Sequence, residues 1–302
     1  MLKIYKQVYF SSRLTGILLM ICCASVVSFG GLIHRNFEDI ESFEIIFFRS
    51  SALIFYMVCY LGIKYKKKFH QRVIGIGFKG LIASCIFGLA QVSYLIAFNF
   101  TSVANTTFTL CITPFVTAII AYLFLKEIIS TVTLITMLLA TLGVIIMVTG
   151  GVASGAFIGI IFALITSISF ATFAVILRSN RNLDMMPTLL VTGVITLIVG
   201  YILGSFESKI SWRDIILCFV WGGFLQGFAH SLMIKATRLI LSAEVTLFML
   251  LEFTLGPLWV WVFIKEVPVF STLLGGGIII SAVALLAAYE VRQSLTNNKV
   301  KK

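Results

Sequence analysis

Ala97–Glu127 reads AFNFTSVANTTFTLCITPFVTAIIAYLFLKE, and Ala236–Glu266 reads ATRLILSAEVTLFMLLEFTLGPLWVWVFIKE. Each has a small-residue start, a long apolar run and a closing Lys-Glu. At a constant offset of 139, Ala97 meets Ala236, Ala104 meets Ala243, Thr107 meets Thr246, and Phe124-Lys126-Glu127 meet Phe263-Lys265-Glu266. Six of the 31 positions are identical. An apolar run of about 20 residues is the length of helix that crosses a bilayer. The pair reads as one membrane-spanning unit used twice.

The flanking sequence gives ten such runs, at roughly 14–33, 43–63, 74–97, 101–124, 131–150, 155–177, 187–205, 213–236, 241–264 and 270–290. They are continuous rather than alternating, which selects helices over a barrel. Of 302 residues, 60% are apolar and 12% charged, against about 45–50% and about 25% in an ordinary soluble domain. Mean hydropathy is +1.08. The expected fold is an all-α membrane protein of ten transmembrane helices with short connections. Five helices per half is an odd number, so the second half enters the membrane upside down. This predicts two inverted five-helix repeats, residues 1–150 and 151–302. Such repeats let secondary transporters build two alternative gates around one site.

Lys and Arg number 23 against 12 Asp and Glu, a net charge of +11. The basic residues lie between apolar runs, so they read as orientation signals and no nucleic-acid partner is expected. With the N-terminus in the cytoplasm, 17 fall inside: Lys3, Lys6, Arg13, Lys64, Lys66, Lys67, Lys68, Arg72, Lys126, Arg178, Arg181, Lys235, Arg238, Arg292, Lys299, Lys301 and Lys302. Four fall outside: Arg35, Lys209, Arg213 and Lys265. Both termini are expected in the cytoplasm, with the protein in the cell inner membrane. The first outside loop is acidic (Glu38, Asp39, Glu41). The cluster from Lys64 to Arg72 also suits anionic lipid headgroups.

Lys3, Lys6 and Arg13 ahead of Leu14 resemble the start of a signal peptide. The run that follows is of spanning length with no clear cleavage pattern, so it reads as a retained first helix. Cys22, Cys23, Cys59, Cys85, Cys111 and Cys218 lie in apolar stretches without CxxC or His-paired spacing, so neither a zinc site nor a disulfide framework is implied. No GxxxxGK[ST] phosphate loop occurs. No cofactor is expected, and transport is gradient-driven or by exchange.

The chain resembles the EamA-type branch of the drug/metabolite transporter superfamily. The likeness rests on the ten helices in two halves, Ser42-Phe43-Glu44-Ile45-Ile46-Phe47-Phe48-Arg49, the paired Lys-Glu ends, and Leu251-Glu252-Phe253 through Trp259-Val260-Trp261. The family often has Pro after that Glu; here Phe253 stands there and Pro257 follows later. The resemblance implies a carrier working by alternating access on amino acids or other small metabolites. The opening of the second helix is also similar to S-adenosylmethionine carriers of the superfamily.

Ionisable groups inside a membrane are costly and usually mark function. Glu252 lies near the middle of helix nine and reads as a substrate-cation or proton-coupling group, or else as a structural hydrogen bond. Glu244, two turns earlier, binds substrate or reaches cytoplasmic water. Gln226 and His230 share a face of helix eight, and His230 meets Gln91 of helix three at the same offset. They form a central polar site or a helix-joining pair. Arg49 either attracts an anionic substrate group or pairs locally, for instance with Glu44. Lys79 snorkels.

Asn105, Thr109 and Thr113 on helix four, and Ser28 with its offset partner Ser167, suit a polar cavity. Trp221 and Tyr94 offer aromatic surfaces; Trp259 and Trp261 read as anchors or packing groups. Pro114 and Pro257 are candidate flex points. The expected cargo is a zwitterionic or cationic solute, because Glu252 and Glu244 are the buried charges. A membrane enzyme would need a cluster of His, Asp or Glu near one interface, whereas His34, His70 and His230 fall far apart in this topology. Lipid and solute are the expected partners, and monomer and homodimer both remain open.

Overall fold

The computed structural model of the protein describes residues 2–38, 40–148, 157–206, 210–265 and 267–299. Asp39, Lys209, Glu266, Lys301, Lys302 and the boundary between residues 150 and 151 lie outside the described residues. Within them every regular element is helical. The first five are α1 (Leu2–Val27), α2 (Phe29–His34), α3 (Ser42–Tyr65), α4 (Phe69–Ile74) and α5 (Gly77–Phe100). Then come α6 (Val103–Leu110), α7 (Thr113–Leu125), α8 (Thr131–Val148), α9 (Phe157–Ser179) and α10 (Pro187–Leu203). The last are α11 (Trp212–Phe219), α12 (Ala229–Ala236), α13 (Ser242–Met249), α14 (Leu251–Ile264) and α15 (Phe270–Lys299). Between α11 and α12, Val220–Phe228 is π-helical.

Nine of the resulting helical units among the described residues are long and apolar enough to cross a membrane. The tenth, α10, has 17 residues and is about 25 Å long. Phe55, Ile63, Phe78, Ile119, Leu123 and Phe124 are exposed around the outside. An apolar belt of that extent suits lipid and not water.

Four expected spans differ in detail. The first begins at Leu2 and divides at Ser28 into α1 and α2, and the last continues to Lys299. The spans expected as single helices over 101–124 and 241–264 are each broken. Pro114 has no amide hydrogen for Leu110, and the Thr113 hydroxyl donates to that freed carbonyl instead (2.6 Å). In the second half the chain tightens at the break, where the amides of Leu250 and Phe253 bond three residues back.

The two breaks keep the offset of 139. Helices α6 and α13 start at 103 and 242 and end at 110 and 249, and α7 and α14 end at 125 and 264. Lys126 (φ 57°) and Lys265 (φ 64°) close them in the left-handed conformation that commonly terminates helices.

Packing follows the same exchange. Helix α5 lies along α9 as α1 lies along α12. The α3–π contact answers α10–α5, α6–α9 answers α13–α1, and α7–α9 answers α14–α2 and α14–α1. The pairs α3–α10 and α8–α15 connect equivalent elements directly. At the α8–α15 crossing, a Cβ on Gly143 would stand 2.7 Å from the Gly275 carbonyl oxygen, so only glycine permits that approach.

An even number of spans places both chain ends on one side, and that side is tied shut. Arg178 pairs with Glu127 (2.7 Å) and donates to the Thr237 carbonyl (3.1 Å). The other Glu127 oxygen accepts from the Ser242 amide (3.2 Å). Arg13 pairs with Glu244 (2.6 Å), and Lys64 with Asp184 (2.9 Å). Above these ties Met57, Leu61, Phe173, Leu177 and Met233 are fully buried. Burial by itself would raise the Asp184 carboxyl, but hydrogen bonds from Tyr65 and Lys64 outweigh it and hold the group below the ordinary carboxylate value.

Candidate functional site

Between the two groups of helices lies a cavity of about 770 Å³. It reaches from the breaks in α6–α7 and α13–α14 to the side opposite the termini, where Arg35 and Val267–Thr272 form its mouth. The positions 139 residues from His34 and Arg35 are Phe173 and Ala174, which are fully buried at the tied side. Equivalent positions are thus open at one end and sealed at the other.

Of the residues expected at a site, Ser28, Arg49, Gln91, Tyr94, Thr113, Trp221, Gln226, His230 and Glu252 line this cavity. Arg49 projects from α3, and its guanidinium donates to Gln91 Oε1 (3.1 Å) and lies 4.9 Å from the centre of the Trp221 ring. It does not pair with Glu44, whose carboxylate accepts from the Glu41 amide instead. Gly222 of the π-helical stretch sits against the Arg49 carbonyl, where any Cβ would collide. That close approach brings Trp221 to the guanidinium.

Glu252 opens the first turn of α14. Among the described residues it has no hydrogen-bond or ion-pair partner, and Arg49 has no carboxylate partner. Thr113 of the first broken helix and Ser28, between α1 and α2, each add a hydroxyl. Thr113 shares a hydrogen bond with Ser167 (2.9 Å), and Ser28 accepts from Trp259 Nε1 (2.7 Å). Trp259 therefore does more than anchor: its ring also stacks on Phe29 at 4.5 Å. His230 Nδ1 lies 2.9 Å from the Gln226 carbonyl, and its ring packs 5.0 Å from Phe87.

The other four candidates are elsewhere. Glu244 is held by Arg13 and caps the start of α13 through the Leu241 amide (3.1 Å), so it belongs to the tied side. Asn105 bonds the Thr101 hydroxyl, and Thr109 the Asn105 carbonyl. Ser167 stands behind Thr113 rather than on the cavity wall.

The wall also holds residues not expected there: Phe87, Phe98, Thr107, Thr166, Thr246 and His34. Thr107 and Thr246 were legible, being an identity between the halves in the middle of a broken helix. His34 and His230, read as far apart, share this cavity because α2 bends in over its mouth. His34 packs on Phe98 (5.5 Å) and Trp221 (6.1 Å).

Residues 14–149 match the model of the EamA-like transporter family. Over this first half the chain is similar to the EamA-like transporters. The matched segment ends at the close of α8, and residues of the rest of the chain complete the cavity. A solved crystal structure superposes with a TM-score of 0.70, covering 94% of this chain and 98% of its own at 15% identity. That likeness is one of fold, and it runs through both halves of the chain. No curated protein sequence matches the chain.

Proposed function

We propose that the protein is a secondary carrier of a small zwitterionic metabolite of the amino-acid kind, working by alternating access. One observation carries this reading: a cation, Arg49, and a carboxylate, Glu252, line a single cavity inside the membrane without neutralising partners among the described residues. Buried charge is expensive unless paired. A ligand bearing a carboxylate and an ammonium supplies both counter-charges at once. The cavity volume falls in the range of about 300–1,000 Å³ usual for small-molecule sites.

The arrangement of the carrier follows. Residues 1–150 and 151–302 act as inverted repeats, a reading supported by the matching helix breaks and reciprocal packing. With the positively charged segments inside an inner membrane, both termini are cytoplasmic and the cavity faces outward. S-adenosylmethionine is the second reading, favoured by the aromatic wall of Tyr94, Phe98 and Trp221, against which an adenine ring can stack.

The test is counterflow of labelled amino acids and S-adenosylmethionine into liposomes holding the purified protein. Accumulation is expected, with binding weakened about 10–100-fold in Glu252→Gln, since a hydrogen bond to a charged group is worth roughly 1.5–3 kcal/mol. Chemical conversion of the solute without movement would instead identify an enzyme.

A further inference from the structure

The halves differ in one pairing. At the offset of 139, Thr113 corresponds to Glu252, and Ser167 to Ser28. Thr113 and Ser167 are hydrogen-bonded (2.9 Å) and tie α7 to α9. Their equivalents are apart. Glu252 has no partner among the described residues, and the Ser28 hydroxyl donates to the Ser25 carbonyl (2.7 Å) while accepting from Trp259 (2.7 Å).

The backbone differs at one of the two serines: the first span divides at Ser28, whereas α9 runs unbroken through Ser167. The broken spans carrying Thr113 and Glu252 begin and end at equivalent positions, with α7 starting at Thr113 and α14 one residue earlier in that register, at Leu251. Helix α14 packs on both pieces of that divided span, α1 and α2, whereas α7 packs on the single helix α9. If the halves exchange roles when the mouth closes, α14 comes to seat on the first span as α7 now seats on α9.

We infer that Ser28 is the positioning partner of Glu252 in the opposite state. On closure Ser28 leaves Trp259 and turns its hydroxyl from the Ser25 carbonyl to the Glu252 carboxyl, while Thr113 and Ser167 separate. The inference rests on the carrier reading and adds a coupling to it. A bare carboxylate resists being pressed between two helices. A bound ammonium group offsets that charge, so a loaded site closes onto Ser28 more readily than an empty one.

Two cysteine pairs test this in the full-length chain in liposomes: Ser28→Cys with Glu252→Cys, and Thr113→Cys with Ser167→Cys. A short thiol cross-linker is applied, and mass spectrometry of the linked peptides separates the new pairs from the six native cysteines. Each pair is made with and without Glu127→Gln, which loosens the tied side. The expected result is opposite movement: Glu127→Gln raises the yield of the 28–252 pair and lowers that of the 113–167 pair. A 28–252 yield that stays flat or falls while the 113–167 yield falls overturns the inference.

Ser28→Ala, Ser28→Thr and Trp259→Phe supply a second readout. Loss of one hydrogen bond is worth about fivefold, so Ser28→Ala slows the rate at saturating solute by about that factor with a smaller effect on half-saturation, and Ser28→Thr restores it. If Ser28 serves only to hold Trp259, Trp259→Phe reproduces Ser28→Ala, and the inference fails. Cross-linking needs no solute movement, so failure of the carrier reading, seen as no counterflow in the wild type, is distinguishable from failure of this pairing.

Discussion

Arg49 holds its place through shape as much as charge. Its planar fork reaches Gln91 on one side and lies over Trp221 on the other, geometry that a lysine ammonium does not reproduce. Arg49→Lys keeps the charge, yet solute affinity is expected to fall about tenfold in a thermal-shift titration, a cost of ~1.4 kcal/mol. Unchanged affinity would mean that Arg49 contributes only its charge. Asp184 provides a second check at this scale. Its carboxyl is depressed in the folded protein, so its tie to Lys64 and Tyr65 adds stability that is complete above the ordinary value of 3.8 and is lost as pH falls through the lower folded value. Wild type should therefore lose more thermal stability than Asp184→Asn between about pH 5 and pH 2. Equal slopes would dissociate Asp184 from the acid response. Glu252 was legible from sequence because a mid-span carboxylate stands out in a chain so poor in charge. Glu244 has the same composition around it, and sequence spacing did not reveal Arg13 across 231 positions.

Helices were easier to read than their interruptions. Apolar run length fixed the number of spans, since about 20 residues must cross the lipid. The breaks at Cys111–Ile112 and Leu250 were not visible in hydropathy, because the residues there are as apolar as their neighbours. Only Pro114 hinted at the first, and no proline marks the second. The π-helical stretch Val220–Phe228 was equally hidden: its glycines are sites of close approach, which depend on what lies opposite. Gly222 meets the Arg49 carbonyl. Gly222→Ala must displace α3 or straighten the π-helical turn, and overpacking of this kind costs about 1–3 kcal/mol. Thermal stability should fall, and solute binding should fall with it because the guanidinium moves. A variant with lower stability but intact affinity would show that the approach serves folding alone.

At the scale of the whole molecule, the offset of 139 recurs in the helix breaks, while which end of the cavity is open was not in the sequence at all. Which end is open depends on a balance of contacts between halves, and those contacts involve residues far apart in the chain. The tied side is held by groups that each half contributes: Arg13 and Glu127 from the first, Glu244 and Arg178 from the second. Glu127 is the hub, since one oxygen meets Arg178 and the other the Ser242 amide at the start of α13. Removing its charge leaves Arg178 mostly buried without its carboxylate, a loss of about 1–3 kcal/mol from this state. The cavity has no comparable loss in the state open to the termini, where these groups are free to meet water. Glu127→Gln should therefore shift the population toward that state about 5–100-fold. Cysteine placed at Thr133, fully buried here, reports the shift as faster labelling by a membrane-permeant maleimide. The charge-swapped double variant Glu127→Arg with Arg178→Glu should slow labelling again, because the attraction survives exchange of its signs even though the bond to the Ser242 amide does not. Labelling that stays fast in the swap would assign the closure to the amide rather than to the ion pair.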